Sequence, residues 1–276
     1  MRIAVISASS DIGHALAAHW TAKGWTVVGT YRTQSPKTRA LENDGVSLVP
    51  CDLGDSASID AACGRVAELL GDWDGLVVCP GTLEPIGEFA AVNFGAWATS
   101  VDCNFVAQMR CIHALLPYRN QESPLGACVI AWAGGGTNSA PKAFSAYTVS
   151  RVAVVKMMEL LDAEVPDIRF VTVGPGWVRT KIHQETMRAR RRAGEAYEVT
   201  ANKLKNPEGA GWTDMATVLA CCDWILSAPR HVVGGRNISV AHDPWAEPSL
   251  AAALEADPDM YKLRRHGNDW RRSGKP

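Results

Sequence analysis

At 276 residues, 47% hydrophobic and 21% charged, the chain has enough apolar material to bury one sizeable core. Its net charge of -1 argues against a bulk binder of nucleic acid or of an anionic membrane. The opening "MRIAVISASS" is too short an apolar stretch for a signal peptide, and no later run reaches the ~18 residues that span a bilayer, so a soluble, cytoplasmic protein is expected.

In chain order, "RIAVIS", "TVVGTYR", "VSLVPCD", "GLVVCPG", "ACVIAWAG" and "RFVTVGPG" are short apolar, β-branched runs bounded by Gly, Pro or Asp, as buried parallel strands are. Between them, "IGHALAAHWTAKG", "SIDAACGRVAELLG", "WATSVDCNFVAQMRCIHALLP" and "SAYTVSRVAVVKMMELLDAE" space their apolar residues three and four apart, as helices do. This alternation predicts an α/β fold: a Rossmann-type, doubly wound parallel sheet flanked by helices, with right-handed crossovers and a last strand near "GGRNISVA". Nothing divides the chain, so 1–276 is expected to be a single domain with two additions, an irregular stretch at about 181–212 and a C-terminal extension from about 242. Cys51, Cys79, Cys103, Cys111 and Cys128 lie in apolar surroundings, with no C-x-x-C pair and only Cys221 and Cys222 adjacent. This usage predicts reduced core thiols and no metal site.

In such a sheet, ligands bind where strand order reverses, at the carboxyl ends of the strands. The turn there reads "ISASSDIGHALA", in which only Gly13 stands at a glycine position of a dinucleotide fingerprint, and Ser10 or Asp11 can cap the following helix. Further on, "SAYTVSR" sets Tyr147 four residues before Arg151, on one face of a helix.

These stretches, in this order, resemble the short-chain dehydrogenase/reductase family from Arg2 to about Val240. "SASSDIG" matches its G-x-x-x-G-x-G turn, "CDL" its adenine-side Asp, "VCPG" its N-N-A-G, and "GPGWVRT" its P-G turn beside the nicotinamide. Asn104 falls on the family's structural and catalytic Asn, and Tyr147 and Arg151 fall on its Y-x-x-x-K. The resemblance implies hydride transfer between a nicotinamide and a carbonyl carbon, with Tyr147 as acid/base, Arg151 as its electrostatic partner and ribose ligand, and Asn104 supporting a proton-relay water. Cofactor-binding roles carry over to Ser7, Ser9, Ser10, Asp11, Ile12 and Gly13, to Tyr31 and Arg32, and to Asp52 and Leu53. They also carry over to Pro80, Gly81 and Arg151, and to Pro175, Gly176, Val178 and Thr180. A free phenol titrates near pH ~10. A cation ~4 Å away favours the phenolate by up to roughly 4 kcal/mol at an effective dielectric of ~20.

The family's catalytic serine lies thirteen residues before its tyrosine, which is Gly134 here, and one step further is Ala133. Neither has a hydroxyl, so either Thr137, Ser139 or the backbone N–H groups of Gly134 to Gly136 replace the serine, or the substrate differs, or the enzyme is slow. After the second strand stands Arg32, not an acid, so NADP is expected in preference to NAD. The stretch "KIHQETMRARRRAGEAYEVTANKLK" follows the P-G turn, where the family carries a substrate lid. Its Arg188, Arg190, Arg191 and Arg192 form either a solvated face or a phosphate receptor for a polar, sugar-derived small molecule. "GTLEPIG", "GGGTN", "ELLDAE" and "HDPW…DMYKLRR" are similar to a subgroup associated with bacterial surface-polysaccharide genes. A homodimer or homotetramer built on "VAQMRCIHALL" and "VAVVKMMELL" is a further expectation from the resemblance. Two rival classes stand beside it: a non-redox isomerase or lyase on this fold, and a catalytically impaired nucleotide-binding scaffold.

Overall fold

Strand β1 (Arg2–Ile6) buries Ile3 to Ile6 on both faces, which is what a central parallel strand needs. In this computed structural model, which describes residues 1–206, 209 and 211–266, it is joined by β2 (Thr26–Tyr31), β3 (Ser47–Pro50), β4 (Gly75–Val78), β5 (Ala127–Trp132), β6 (Ile168–Gly174) and β7 (Asn237–Ser239). All six pairings are parallel and the order is β3-β2-β1-β4-β5-β6-β7. The crossover helices are α1 (Asp11–Ala22), α2 (Pro36–Asn43), α3 (Ser56–Leu70), α4 (Phe94–Val101), α5 (Ala107–Leu115) and α6 (Ser145–Glu164). They are followed by α7 (His183–Ala189), α8 (Glu195–Lys205), α9 (Met215–Ser227), α10 (Arg230–Val233) and α11 (Pro248–Ala256).

Alternation along each strand makes two cores. Ile3 and Val5 face Leu16 and Trp20 of α1, Val218 and Cys222 of α9, and Leu250 and Leu254 of α11. Ala4 and Ile6 face Ile59 and Val66 of α3, Cys111 and Ile112 of α5, and Val154 and Met158 of α6. All eight cysteines are free, and all but the half-buried Cys103 are buried. Among the described residues no helix is long and apolar enough to cross a membrane.

The expected strands and helices form, including β7 within "GGRNISVA". Six helices, α2 and α7 to α11, go beyond the helical stretches read from the sequence. The helix from residue 94 to 115 is not uniform, because Asp102–Val106 makes a π turn between α4 and α5. Such turns collect at functional positions. At the far end of the sheet, buried Arg169 donates to the carbonyls of Ile225, Leu226 and Ala228 where α9 ends, and to that of Gly126. A guanidinium thus satisfies a helix C-terminus that no glycine caps. Residues 207, 208 and 210 of the irregular stretch and 267–276 of the extension lie outside the described residues.

Candidate active site

The strand order reverses between β1 and β4, so the crevice at their carboxyl ends is the ligand position of this topology. The turn after β1 begins at Ser7, which is held left-handed at φ 63 and donates its N–H to Thr30 Oγ1 at 2.9 Å. The family's glycine geometry is therefore kept by a serine, at the strain such a conformation imposes. Ser10 caps α1 by accepting from Gly13 N–H at 3.1 Å. A Cβ on Gly13 would lie 2.5 Å from Ser7 O and 2.8 Å from Ser10 Oγ, so only glycine fits there. Ser9 and Ile12 are half-buried in the same turn.

Asp11, the first residue of α1, leaves the cap to Ser10. Its carboxylate takes the Lys37 ammonium on one oxygen and the Lys181 N–H, at 2.6 Å, on the other. Burial alone would raise its pKa, but Lys37 and the Lys181 N–H outweigh that and hold the carboxyl below the usual range. The side chain thus ties the turn after β1 to the chain that follows the P-G turn after β6. Tyr31 ends β2 and Arg32, which follows it, is exposed. Asp52 is exposed, accepts from Gly54 N–H at 3.0 Å and precedes Leu53, whose side chain packs on the second core.

Beside this turn, β4 runs into Pro80 and Gly81. Asn104, fully buried at the centre of the π turn, accepts from Thr82 N–H at 3.0 Å and donates to Thr82 O at 2.9 Å and to Ser100 Oγ at 3.1 Å. The amide thereby pins the loop after β4. Tyr147 and Arg151 share a face of α6, with the guanidinium 5.1 Å from the phenol ring centroid. Arg151 is 3% exposed and turns inward. It donates to Trp132 O at 3.3 Å, to Pro80 O at 2.8 Å and to Asn104 Oδ1 at 3.5 Å, and its Nε is buried without a partner. All three acceptors are neutral, so a permanent cation sits under the tyrosine without a carboxylate. The guanidinium is committed to strand-end carbonyls.

Gly134 lies against Tyr147. A Cβ there would be 2.6 Å from the phenol oxygen and 2.7 Å from Arg151 Cγ. Thr137 is half-buried and Ser139 exposed in the turn that follows, which Ser139 N–H closes onto Gly136 O.

After β6, Pro175 and Gly176 turn the chain at φ 75 for Gly176, with Val178 buried and Thr180 half-buried. Trp177 stacks on His183 at 4.9 Å, Trp212 meets His183 edge-on at 5.6 Å, and Lys203 sits over both indoles. Arg179 lies over Trp212. His183 donates from Nε2 to Val178 O, 2.8 Å away, and burial pushes its pKa down. Two side chains tie α7 and its continuation to the loop after β4. Glu185 accepts from Thr82 Oγ1 at 3.0 Å and Leu83 N–H at 2.6 Å, and Arg192 donates to Ile86 O and pairs with Glu84. Ile86, Phe144, Ala189 and Ala193 close a small apolar cluster beneath. Arg188, Arg190 and Arg191 are exposed. Lys37, Thr82, Glu185, Lys181 and Lys203 were not singled out from the sequence, because each acts through a partner distant in the chain. Among the described residues no cluster of metal-binding side chains occurs.

Comparison with known proteins bears on this arrangement. The curated relatives include an uncharacterised oxidoreductase of Schizosaccharomyces pombe, 29% identical over 183 residues, covering 64% of this chain and 71% of the relative. A short-chain dehydrogenase/reductase from Saccharomyces cerevisiae has the same fold, with a TM-score of 0.76 at 21% identity over 91% of this chain and 98% of that one. So does a short-chain dehydrogenase from Burkholderia cenocepacia in complex with NADP, with a TM-score of 0.70 at 19% identity over 86% and 95%. The short chain dehydrogenase family matches residues 2–191, which span the turn after β1, the π turn and the Tyr147 helix, and the chain belongs to that family of oxidoreductases.

Proposed function

We propose that the protein is an NADP-dependent oxidoreductase that reduces a keto group, or oxidises a hydroxyl, on a polar, sugar-derived small molecule. The observation that carries this reading is the buried, carboxylate-free guanidinium of Arg151 beneath Tyr147. The charge lies against the ring of Tyr147, whose hydroxyl would pass a proton to and from the substrate oxygen. Asn104 fixes the loop that carries Gly81 and Thr82. The turn around Ser7, Ser10 and Gly13 retains the tight glycine geometry that a dinucleotide needs. A nicotinamide, when bound, would supply the hydride. Arg32, exposed just after β2, would take its 2′-phosphate, and Pro175, Gly176, Val178 and Thr180 would line the nicotinamide end. The NADP held by the Burkholderia cenocepacia protein supports the cofactor class. Residues 181–212 act as the lid of one continuous domain. The apolar faces of α5 and α6 join two or four copies.

Tyr147→Phe tests the reading, because it keeps the ring and removes the proton donor. Turnover followed by nicotinamide absorbance with candidate keto sugars should fall by about 10² to 10⁴ while cofactor affinity barely changes. Full activity in that variant would reject Tyr147 as acid/base. In calorimetry NADPH should bind more tightly than NADH, and Arg32→Ala should remove most of the difference. Equal affinities in the unaltered protein contradict the preference. The missing hydroxyl at Gly134 favours one second reading, a non-redox isomerase or lyase, in which substrate is consumed with no change in nicotinamide absorbance.

A further inference from the structure

Gly81 and Gly134 are not glycines for the sake of the backbone, since neither lies in the left-handed region where other residues are strained. At each, an added Cβ would press on Arg151. A Cβ on Gly81 would collide with Arg151 Nη2, and a Cβ on Gly134 would stand 2.7 Å from Arg151 Cγ and 2.6 Å from the Tyr147 oxygen. The arginine therefore passes between the ends of β4 and β5 through a slot that two glycines leave open. Its terminal nitrogens reach a carbonyl from each strand end, Pro80 O and Trp132 O.

We propose that Gly81, Gly134 and Arg151 are one size-matched unit that holds the cation in a fixed place under Tyr147, and that the two glycines are positioning residues for it. The inference rests on the proposed role of Tyr147, but its geometry does not depend on the substrate. A lysine is shorter and ends in a point charge, so it cannot bridge both carbonyls as the planar fork does. By the same geometry, it would not occupy the space beside Gly81. The glycine at 134 is then not simply a lost serine. It is the space that the tyrosine edge and the arginine stem fill, and a serine restored there would displace both.

Four proteins test this: the unaltered chain, Gly81→Ala, Arg151→Lys, and the double variant. Overpacking a fixed guanidinium should lower the melting temperature of Gly81→Ala by about 3 to 10 °C. The same change made in the Arg151→Lys background should cost under about a third of that, because the colliding nitrogens are gone. Equal losses in both backgrounds, or no loss in either, overturn the proposal. A structural role alone would not move the phenol, so a second readout follows its ionisation by ultraviolet difference titration against Tyr147→Phe. Gly81→Ala should shift the Tyr147 titration to higher pH when residue 151 is arginine and leave it unmoved when residue 151 is lysine. A Tyr147 titration indifferent to Gly81→Ala in the arginine background also overturns it. Neither measurement needs a substrate or cofactor, so both stand if the redox reading fails.

Discussion

Asp11 stands where a bound diphosphate would meet the N-terminus of α1, and its own carboxylate takes the Lys37 and Lys181 donors there. Its pKa is depressed because those donors overcome the effect of burial. The contribution of the clasp to stability is therefore present above the ordinary carboxylate range, and it is lost as pH falls through the lowered value. In the proposed function, a cofactor diphosphate would compete with this charge at neutral pH. Asp11→Gly, which returns the family's residue, should raise NADPH affinity by about tenfold, and Asp11→Asn by less. Calorimetry at fixed salt reads both, and unchanged or weaker binding in Asp11→Gly would contradict the competition. The sequence made residue 11 legible as an acid at a helix start, but its partner Lys181 lies 170 positions away. Arg151 shows the same boundary. An i, i+4 spacing gives the helix face a side chain leaves from, whereas the direction of a long arginine depends on carbonyls offered by two other strands.

Helices α7 and α8 show what elements add. Their attachment comes from Glu185 on the loop after β4 and from the stack of Trp177, His183 and Trp212, with Lys203 and Arg179 facing the same rings. His183 is held neutral, chiefly by burial. The stability it lends is complete above the ordinary histidine value of 6.5 and is lost as pH falls below it, when a further cation would join Lys203 and Arg179. Limited proteolysis within 183–206 should accelerate as pH falls from 7 to 5.5, and His183→Phe, which keeps the stack without a proton, should abolish that acceleration. Equal acid sensitivity in both proteins would remove His183 from the account. Strands were legible here because burial on both faces writes unbroken apolar runs. In contrast, α9 is apolar nearly all round in "MATVLACCDWILS" and so shows no periodicity to read.

Across the whole molecule, the π turn before α5 and the outer face of α6 carry Val106, Val149 and Leu160 at 45–50% exposure. They flank a groove lined by Met109, Ile112, Leu116, Met157 and Leu161. An apolar surface of this kind is costly to leave in water. Light scattering at micromolar concentration should give a dimer or tetramer, and Val106→Glu with Met157→Glu should give a monomer. A monomeric unaltered chain would reject the assembly. The π turn at 102–106 ties this face to the site, since the same helical run carries Asn104 inward and Val106 outward. An extra residue in one turn acts as a phase shift of about 100° between the two halves of a rod. Deleting a single residue there would leave a regular helix, yet it would rotate everything on one side of the cut. The amide could then meet Thr82, or the outer valine could meet a neighbouring copy, but not both at once. Alignment of the site with any partner copy is thus set by one inserted residue, and the angular register of that rod is a quantity that substitutions of side chains alone cannot adjust.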